Sequence, residues 1–220
     1  MAQTELANAG HPASWDFVKK AVDQQKNIIS FAQKKPHNTD SGINPKELRP
    51  VSIAELVSDL KLTFQNQAER KGLTLNFPEA SEIEKVFVMA EPITLLNTVL
   101  SNFILNAIKF SHSGGQIDLR VQANGWGRVS LQVSDHGVGI NRAKLTLIEA
   151  GGQSAFSSPG TQNEKGMGIG LSLAKIFIAG YGGKLRIESK SAEDGHQATG
   201  TTVTLELDRA ENADVVSLRA

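Results

Sequence analysis

Three groups of residues in this chain have types and spacings that suit the binding of a charged ligand. The first is Asn102, Asn106 and Lys109, whose spacings of four and three residues place them on one face of a predicted helix. An asparagine carbonyl is a hard oxygen ligand that suits Mg²⁺, which usually shares its ligands with substrate phosphates. Two satisfied amides and a solvated lysine at a helix end explain the same spacing equally well.

The second group, Asp135-His-Gly-Val-Gly-Ile140, directly follows a predicted strand. A carboxylate at a strand end can accept a hydrogen bond from an amino group. Gly137 and Gly139 would let a flat ring lie against the backbone. An ordinary polar turn is the alternative, since Asp-x-Gly-x-Gly is a weak motif by itself.

The third group is the alternating glycine series Gly166, Gly168 and Gly170, which an apolar-periodic helix follows at once. Glycines allow close approach of the backbone, and a helix N-terminus attracts anions, most often phosphate. The series matches neither the Walker P-loop nor the dinucleotide-binding fingerprint. A flexible loop before a helix is the alternative interpretation.

The composition excludes several classes of protein. The 23 basic and 23 acidic residues balance to zero net charge, which gives no support for nucleic-acid binding. Because cysteine is absent, disulfides and thiolate metal sites are excluded. We expect no apolar run of membrane-spanning length and no signal peptide at the N-terminus.

The first 48 residues are predicted to lie outside the main domain. Residues 1–14 are small and polar, and we expect them to be disordered. Residues 15–34 carry a short heptad pattern, and the proline-containing segment that follows, up to about residue 48, is typical of a linker. Residues 15–34 either pack on their own domain or form one arm of a helical bundle shared with a second copy.

The remaining chain, residues 49–207, alternates helical and strand patterns before a polar tail at 208–220. Helices are predicted at 52–71, 92–110 and 169–180, and strands at 73–77, 86–89, 117–121, 129–133, 184–189 and 202–207. The long polar stretch at 136–165, which includes a candidate short helix at 142–149, is typical of a functional lid. The antiparallel runs of strands favour a two-layer α+β sandwich.

Taken together, these motifs resemble the catalytic domain of sensor histidine kinases. Asn102–Phe110 resembles the N box, Asp135–Gly139 the G1 box, Gly160–Leu171 the G2 box, and Gly200–Thr204 the closing strand. Each motif is modest, but all of them in this order are highly specific. The resemblance covers residues 49–207.

The resemblance implies the Bergerat ATP-binding fold, an α+β sandwich in which three helices cover one face of a mixed sheet of five to six strands. It implies ATP and Mg²⁺ as cofactors, with Asn106 as the metal ligand and Asn102 one turn before it. Lys109 would contact a phosphate, and these three residues are the implied catalytic group. Residues 141–165 would form the mobile lid.

The resemblance also implies which residues contact the nucleotide. Asp135 would accept from the adenine amino group with support from Thr201, and Phe110 would lie along the adenine or ribose. The implied contacts are Asn106, Lys109, Phe110, Asp135, Gly137, Gly139, Ile140, Lys165, Gly166, Met167, Gly168, Gly170, Leu171 and Thr201.

Asn102 bears on the reaction class. Relatives that hydrolyse ATP carry glutamate at the matching position, and a carboxylate there can activate water. Asparagine cannot, so we expect slow hydrolysis and phosphoryl transfer to a protein acceptor. The same residue argues against an ATP-driven clamp of the gyrase type.

The phosphoacceptor histidine of the family is not evident. None of the chain's histidines has the helical, acid-flanked context that the family's acceptor has: His11, His37, His112, His136 and His196. We therefore expect either that the acceptor is missing from this fragment or that it lies on another protein.

The implied partners are a phosphoacceptor domain, in cis or in trans, and a response regulator. A homodimer through residues 15–34 is a further hypothesis. A bacterial cytoplasmic location is implied, and the parent protein could be membrane-anchored. The competing hypothesis is a non-catalytic module on the same fold that binds nucleotide or a response regulator, which the retention of every nucleotide motif disfavours.

Overall fold

The computed structural model describes four ranges of the chain, residues 48–124, 127–150, 160–162 and 170–210. The predicted helix at 15–34, the disordered N-terminus and nearly all of the linker lie outside the described residues, as do residues 211–220 of the predicted tail.

Seven strands lie in the described residues. They are β1 (Arg49–Ser52), β2 (Thr74–Asn76), β3 (Phe87–Ala90), β4 (Gln116–Ala123), β5 (Arg128–Asp135), β6 (Lys184–Lys190) and β7 (Gly200–Asp208). Five form a mixed sheet in the order β2-β4-β5-β7-β6, in which β2 pairs parallel to β4 and the other neighbours are antiparallel. β1 and β3 pair separately as an antiparallel ribbon.

Three long helices, together with two short ones, complete the described fold. They are α1 (Ile53–Arg70), α2 (Ala80–Ile83), α3 (Pro92–Phe110), α4 (Arg142–Glu149) and α5 (Gly170–Gly180). Helices α1, α3 and α5 share one hydrophobic core with the sheet. The predicted α+β sandwich with a mixed sheet is therefore confirmed.

The start and end of α1 follow from its local sequence. The Ser52 side chain accepts a hydrogen bond from the Glu55 N–H at 3.3 Å, the capping interaction that the sequence predicts. The chain leaves the helix through Gly72, whose φ of +69° favours glycine. Two elements were not predicted, α2 and the four-residue strand β1, because each is too short to show a period.

Helix α3 departs from the continuous α-helix that the sequence predicts. Residues Leu95–Leu100 form a π-helical segment, in which the Ser101 N–H donates to the Leu96 carbonyl. Leu95, at the start of this segment, is fully buried, while Ile93 in the turn before it is 63% exposed. Such segments occur frequently at functional sites.

Helix α3 also corrects the expectation that no apolar run is long enough to cross a membrane. Its 19 residues have a mean hydropathy of 1.3, which meets that requirement by length and composition alone. Most of its apolar side chains, among them Leu100, Phe103 and Ile104, lie in or against the main core, whereas Ile93 and Leu105 are exposed. This is the pattern of a core helix, and length and composition alone are weak evidence for a span.

Strand β5 carries the second motif to the edge of the core. Val129, Leu131 and Val133 are buried, whereas the residues between them are only partly so. Because side chains alternate along a strand, Asp135 at its end points toward the same helix-covered face. The register places Asp135 opposite Ile117 of β4 and Thr201 of β7.

Two leucines of α1 provide a matched test of this packing. Leu60 is fully buried and Leu62 is 72% exposed. We expect Leu60→Ala to lower the free energy of unfolding by about 3 kcal/mol, because it removes core contacts and leaves a cavity. Leu62→Ala should change that energy by less than about 0.5 kcal/mol. Urea unfolding of both variants measures the difference, and equal losses would contradict the burial of this face.

Candidate functional site

The C-terminal end of α3 is where the candidate site residues meet. The last carbonyls of a helix have no partner within the helix and need donors from elsewhere. Here Lys71 Nζ donates to the carbonyls of Ile108 at 2.7 Å and Lys109 at 2.8 Å. Lys71 is only 7% exposed, and its charge lies at the negative end of the helix dipole.

Two further segments donate to the same helix end. The Val138 N–H, in the loop after β5, donates to the Phe110 carbonyl at 3.1 Å. Thr161 donates its N–H to the Lys109 carbonyl at 3.1 Å and its hydroxyl to the Ser111 carbonyl at 2.8 Å. The first and third motif regions are thus joined, because Thr161 belongs to the segment that precedes the glycine series.

Asp135 occupies a pocket of backbone donors. The N–H groups of Gly137 and Thr201 donate to its Oδ1 at 2.9 and 3.2 Å. Among the described residues, no donor reaches its Oδ2. Burial raises the pKa of the Asp135 carboxyl to about 6, although the two N–H groups and the nearby His136 act to lower it. The carboxylate is therefore ionised at neutral pH with one oxygen able to accept from a ligand.

The glycines of the second motif are explained by close packing of the backbone. A Cβ on Gly137 would lie 2.2 Å from the Phe110 carbonyl oxygen. A Cβ on Gly139, whose φ is +71°, would lie 1.9 Å from the Lys190 carbonyl oxygen. Any side chain at these positions would push the loop away from both neighbours. The motif alone predicts only that these glycines let a flat ligand lie against the backbone.

A hydroxyl network supports the loop from the side of β6. Ser189 Oγ accepts from the Ile140 N–H at 2.7 Å and lies 2.9 Å from Thr201 Oγ1. Thr201 therefore reaches Asp135 through its backbone N–H, while its hydroxyl bonds Ser189. A Cβ on Gly200 would lie 2.1 Å from the Asp135 carbonyl oxygen, so this position also requires close approach.

The first motif meets the third at Asn102. Its Nδ2 donates to the Thr98 carbonyl inside the π-helical segment, which fixes the amide. A Cβ on Gly170 would lie 2.7 Å from Asn102 Oδ1, so the last glycine of the series is in contact with this side chain. Lys165, Gly166, Met167 and Gly168 lie outside the described residues, and their assignments stay predictions.

The other polar residues of the first motif are accessible. Asn106 is exposed and has no hydrogen-bond partner within the described part of the chain. Lys109 Nζ lies 4.8 Å from the centre of the Phe110 ring, within the range of a cation–π contact. The interpretation of the amides as satisfied structural groups fits Asn102, whose side chain bonds the Thr98 carbonyl, whereas the exposed side chain of Asn106 is open to solvent or a ligand.

Helix α4, at the start of the predicted lid, packs against the neighbouring elements. Ile148 is buried beside Ile187 in a second small core, which Ile140 and Leu171 also contact. Lys175 Nζ donates to the Ile148 carbonyl at 2.7 Å at the end of the helix. The helix confirms the bounds predicted for it, and the assignment of residues 141–165 to a mobile lid stays a prediction.

Sequence reasoning missed three residues that hold the site together: Lys71, Thr161 and Ser189. Lys71 is a helix-terminal lysine, a type that is usually solvated, and its acceptors lie 37 and 38 residues away. Thr161 falls inside the third motif region, which was the one available signal.

A cavity of about 320 Å³ between β2 and β4 is lined by none of the predicted site residues.

The family model for histidine kinase-, DNA gyrase B- and HSP90-like ATPases matches residues 92–211. Among curated relatives, the sensor histidine kinase Hik2 of Thermosynechococcus vestitus is 30% identical over 209 residues, which cover 93% of this chain and 51% of Hik2. This chain spans between about a fifth and about a half of the length of the curated relatives it matches.

Two solved structures share the fold. Full-length ShkA in complex with AMPPNP has a TM-score of 0.58 and 21% identity, and the match covers 94% of this chain and 41% of ShkA. Histidine kinase ThkA in complex with the response regulator TrrA also has a TM-score of 0.58, with 15% identity over 94% of this chain and 55% of ThkA.

The Asp135 carboxyl gives a pH-dependent stability. Because its pKa rises on folding from an ordinary value of 3.8 to about 6, the folded state favours the protonated form. The wild type should therefore lose stability relative to Asp135→Asn as the pH rises from about 4 to about 6, by up to about 3 kcal/mol, and stay level above that. Denaturant unfolding of both proteins between pH 4 and 8 measures this difference, and a constant difference would contradict the burial of the carboxylate.

Proposed function

This chain belongs to the family of histidine kinase-, DNA gyrase B- and HSP90-like ATPases, and we propose that it binds ATP with Mg²⁺ and transfers the γ-phosphate to a protein histidine. The observation that carries the proposal is the Asp135 carboxylate, half-buried at a strand end with one oxygen held by two N–H groups and the other without a described donor. That arrangement suits the amino group of adenine.

The adenine end of the proposed site is built from rigid backbone. Asp135 Oδ2 would accept from the amino group, and the N–H groups of Gly137 and Thr201 keep the carboxylate in place. The packed glycines hold the loop at a fixed distance from α3. Phe110, which is partly exposed next to this loop, would supply an apolar surface for the ring or the ribose.

The phosphate end is proposed at the last turns of α3. Lys109 would neutralise phosphate oxygens there, and the exposed amide of Asn106 would present a hard oxygen ligand to Mg²⁺. Within the described residues, no cluster of three or more histidine, cysteine or acidic side chains could hold a metal ion alone. This donor set fits Mg²⁺ that arrives with the nucleotide and is held mainly by phosphates and water. When bound, Mg²⁺ would reduce the phosphate charge that an acceptor must approach.

Asn102 supports transfer over hydrolysis. Its amide is fixed by the Thr98 carbonyl and by contact with Gly170, and it has no carboxylate with which to activate water. We infer that Asn102 positions the start of α5 against α3 and that an attacking group has to come from another protein segment.

The proposed partners follow from the same reaction. The acceptor would be a histidine-bearing domain, in cis or in trans, and the phosphoryl group would pass on to a response regulator. The ThkA structure with a response regulator supports this type of partner, and the name of Hik2 supports the kinase class. A cytoplasmic location belongs to the same proposal.

Titration of Asp135 gives a test of the adenine contact. We expect the affinity for Mg·ATP to fall as the pH drops below about 6, because a protonated carboxyl no longer offers an ionised acceptor. The phosphates of ATP also titrate in this region, so the useful quantity is the ratio of wild-type to Asp135→Asn affinity at each pH.

Calorimetric titration between pH 5 and 8 provides that ratio. It should be at least about tenfold near pH 8, the loss expected for one charge-assisted hydrogen bond, and should approach unity near pH 5. Unchanged ATP affinity in Asp135→Asn at pH 8 would remove Asp135 from the site.

Phosphoryl transfer itself is tested with a separate acceptor. We expect acid-labile phosphate on a helical hairpin that carries a histidine kinase acceptor histidine when it is mixed with this chain and labelled Mg·ATP. Asn106→Ala should abolish the label, while Leu62→Ala, at an exposed position of α1, should leave it unchanged. If the chain binds ATP but transfers no phosphate to such a hairpin, the result would favour the alternative that it is a non-catalytic nucleotide-binding module.

A further inference from the structure

We propose that Lys71 is a positioning residue for the phosphate end of the nucleotide, acting through the Lys109 carbonyl and the lid residue Thr161. The inference rests on the proposed function, because it assigns a role within the same ATP site. Lys71 itself lies at the end of α1 and is distinct from every residue that the motifs select.

The Lys71 ammonium is buried against the end of α3. A buried cation is costly unless it is well hydrogen-bonded. Lys71 is 7% exposed, and its Nζ donates to two consecutive carbonyls, Ile108 and Lys109, at 2.7 and 2.8 Å. Since both acceptors belong to the last turn of α3, the lysine fixes the direction in which that turn ends.

One of these carbonyls, that of Lys109, accepts hydrogen bonds from both Lys71 and Thr161. The Lys109 carbonyl also accepts from the Thr161 N–H at 3.1 Å and lies 3.2 Å from the Thr161 hydroxyl. Lys71 and Thr161 therefore hold the same oxygen from two sides. Removal of the lysine would leave the carbonyl free to turn and would weaken the attachment of the lid segment.

The residues at the proposed adenine end are held by hydrogen bonds that do not involve Lys71. The Asp135 carboxylate accepts from the N–H groups of Gly137 and Thr201, and the Phe110 carbonyl accepts from the Val138 N–H. None of these bonds uses Lys71. Loss of Lys71 should therefore weaken the binding of the phosphates, which depends on Lys109 and Thr161, more than the binding of the adenine.

The experiment compares Lys71→Met with wild type by calorimetric titration of Mg·ATP and, separately, of adenosine. We expect Lys71→Met to bind Mg·ATP about tenfold more weakly, as for the loss of a charge-assisted hydrogen bond, and to bind adenosine within about twofold of wild type. A merely structural role would lower both affinities together. Lys71→Arg, which keeps the charge and the donors, should recover most of the Mg·ATP affinity.

Arg128→Met is the matched control. Arg128 is a cation that pairs with Asp208 and lies within 3.4–3.5 Å of the Gly182 carbonyl, at the opposite end of β5 from Asp135. Its loss should destabilise the fold without changing either affinity.

Thr161→Val gives a second line of evidence. It removes the hydroxyl that donates to the Ser111 carbonyl, next to the carbonyl that Lys71 holds, and should show the same selective loss of Mg·ATP affinity. Combined with Lys71→Met, it should lose less than the sum of the single losses, because both variants loosen the same end of α3. Should Lys71→Met fail to fold, Lys71→Gln and Thr161→Val have to show the same split between the two ligands.

Equal Mg·ATP affinity in wild type and Lys71→Met, or a parallel fall for adenosine, would overturn the role of Lys71 and leave the proposed function standing. A wild type that binds neither ligand would instead overturn the proposed function and this inference with it.

Discussion

The described site depends on the need of a helix end for hydrogen-bond donors. The carbonyls at the C-terminus of α3 cannot be satisfied within the helix, and three segments far apart in sequence supply the donors. Lys71 comes from the end of α1, Val138 from the loop after β5, and Thr161 from the segment before α5. This one local requirement of the backbone thus joins the end of the first motif to the second motif and to the segment that precedes the glycine series.

The second constraint is the position of Asp135 on the sheet. Its register opposite Ile117 and Thr201 places the carboxylate on the face that the helices cover, where burial raises its pKa. The two N–H groups on Oδ1 lower the cost of keeping it charged but do not remove it. A partly desolvated carboxylate of this kind is typical of a binding site, because a ligand donor on Oδ2 would offset part of the free-energy cost of keeping it charged.

The sequence predicts what depends on local pattern, and the structure supplies what depends on distant contacts. The Ser52 cap, the bounds of α4 and the position of Asp135 at the end of β5 follow from short-range rules. The role of Lys71 does not, because its acceptors lie 37 and 38 residues away and a lysine near a helix end is normally solvated. The π-helical segment of α3 also escapes prediction, since its apolar spacing is compatible with a continuous α-helix. Likewise, the glycines after Asp135 are recognisable as a motif, but their contacts with the Phe110 and Lys190 carbonyls appear only once the strands are paired.

In the proposed site, the adenine of the nucleotide lies at Asp135 and its phosphates lie at the C-terminus of α3. The most direct measurement is a pair of amide NMR titrations of this chain, one with adenosine and one with Mg·ATP. Adenosine should shift the amides of Gly137 and Thr201 and leave that of Asn106 in place, whereas Mg·ATP should shift all three. Shifts from Mg·ATP that avoid Gly137 and Thr201, or adenosine shifts confined to α3, would contradict this arrangement of the site.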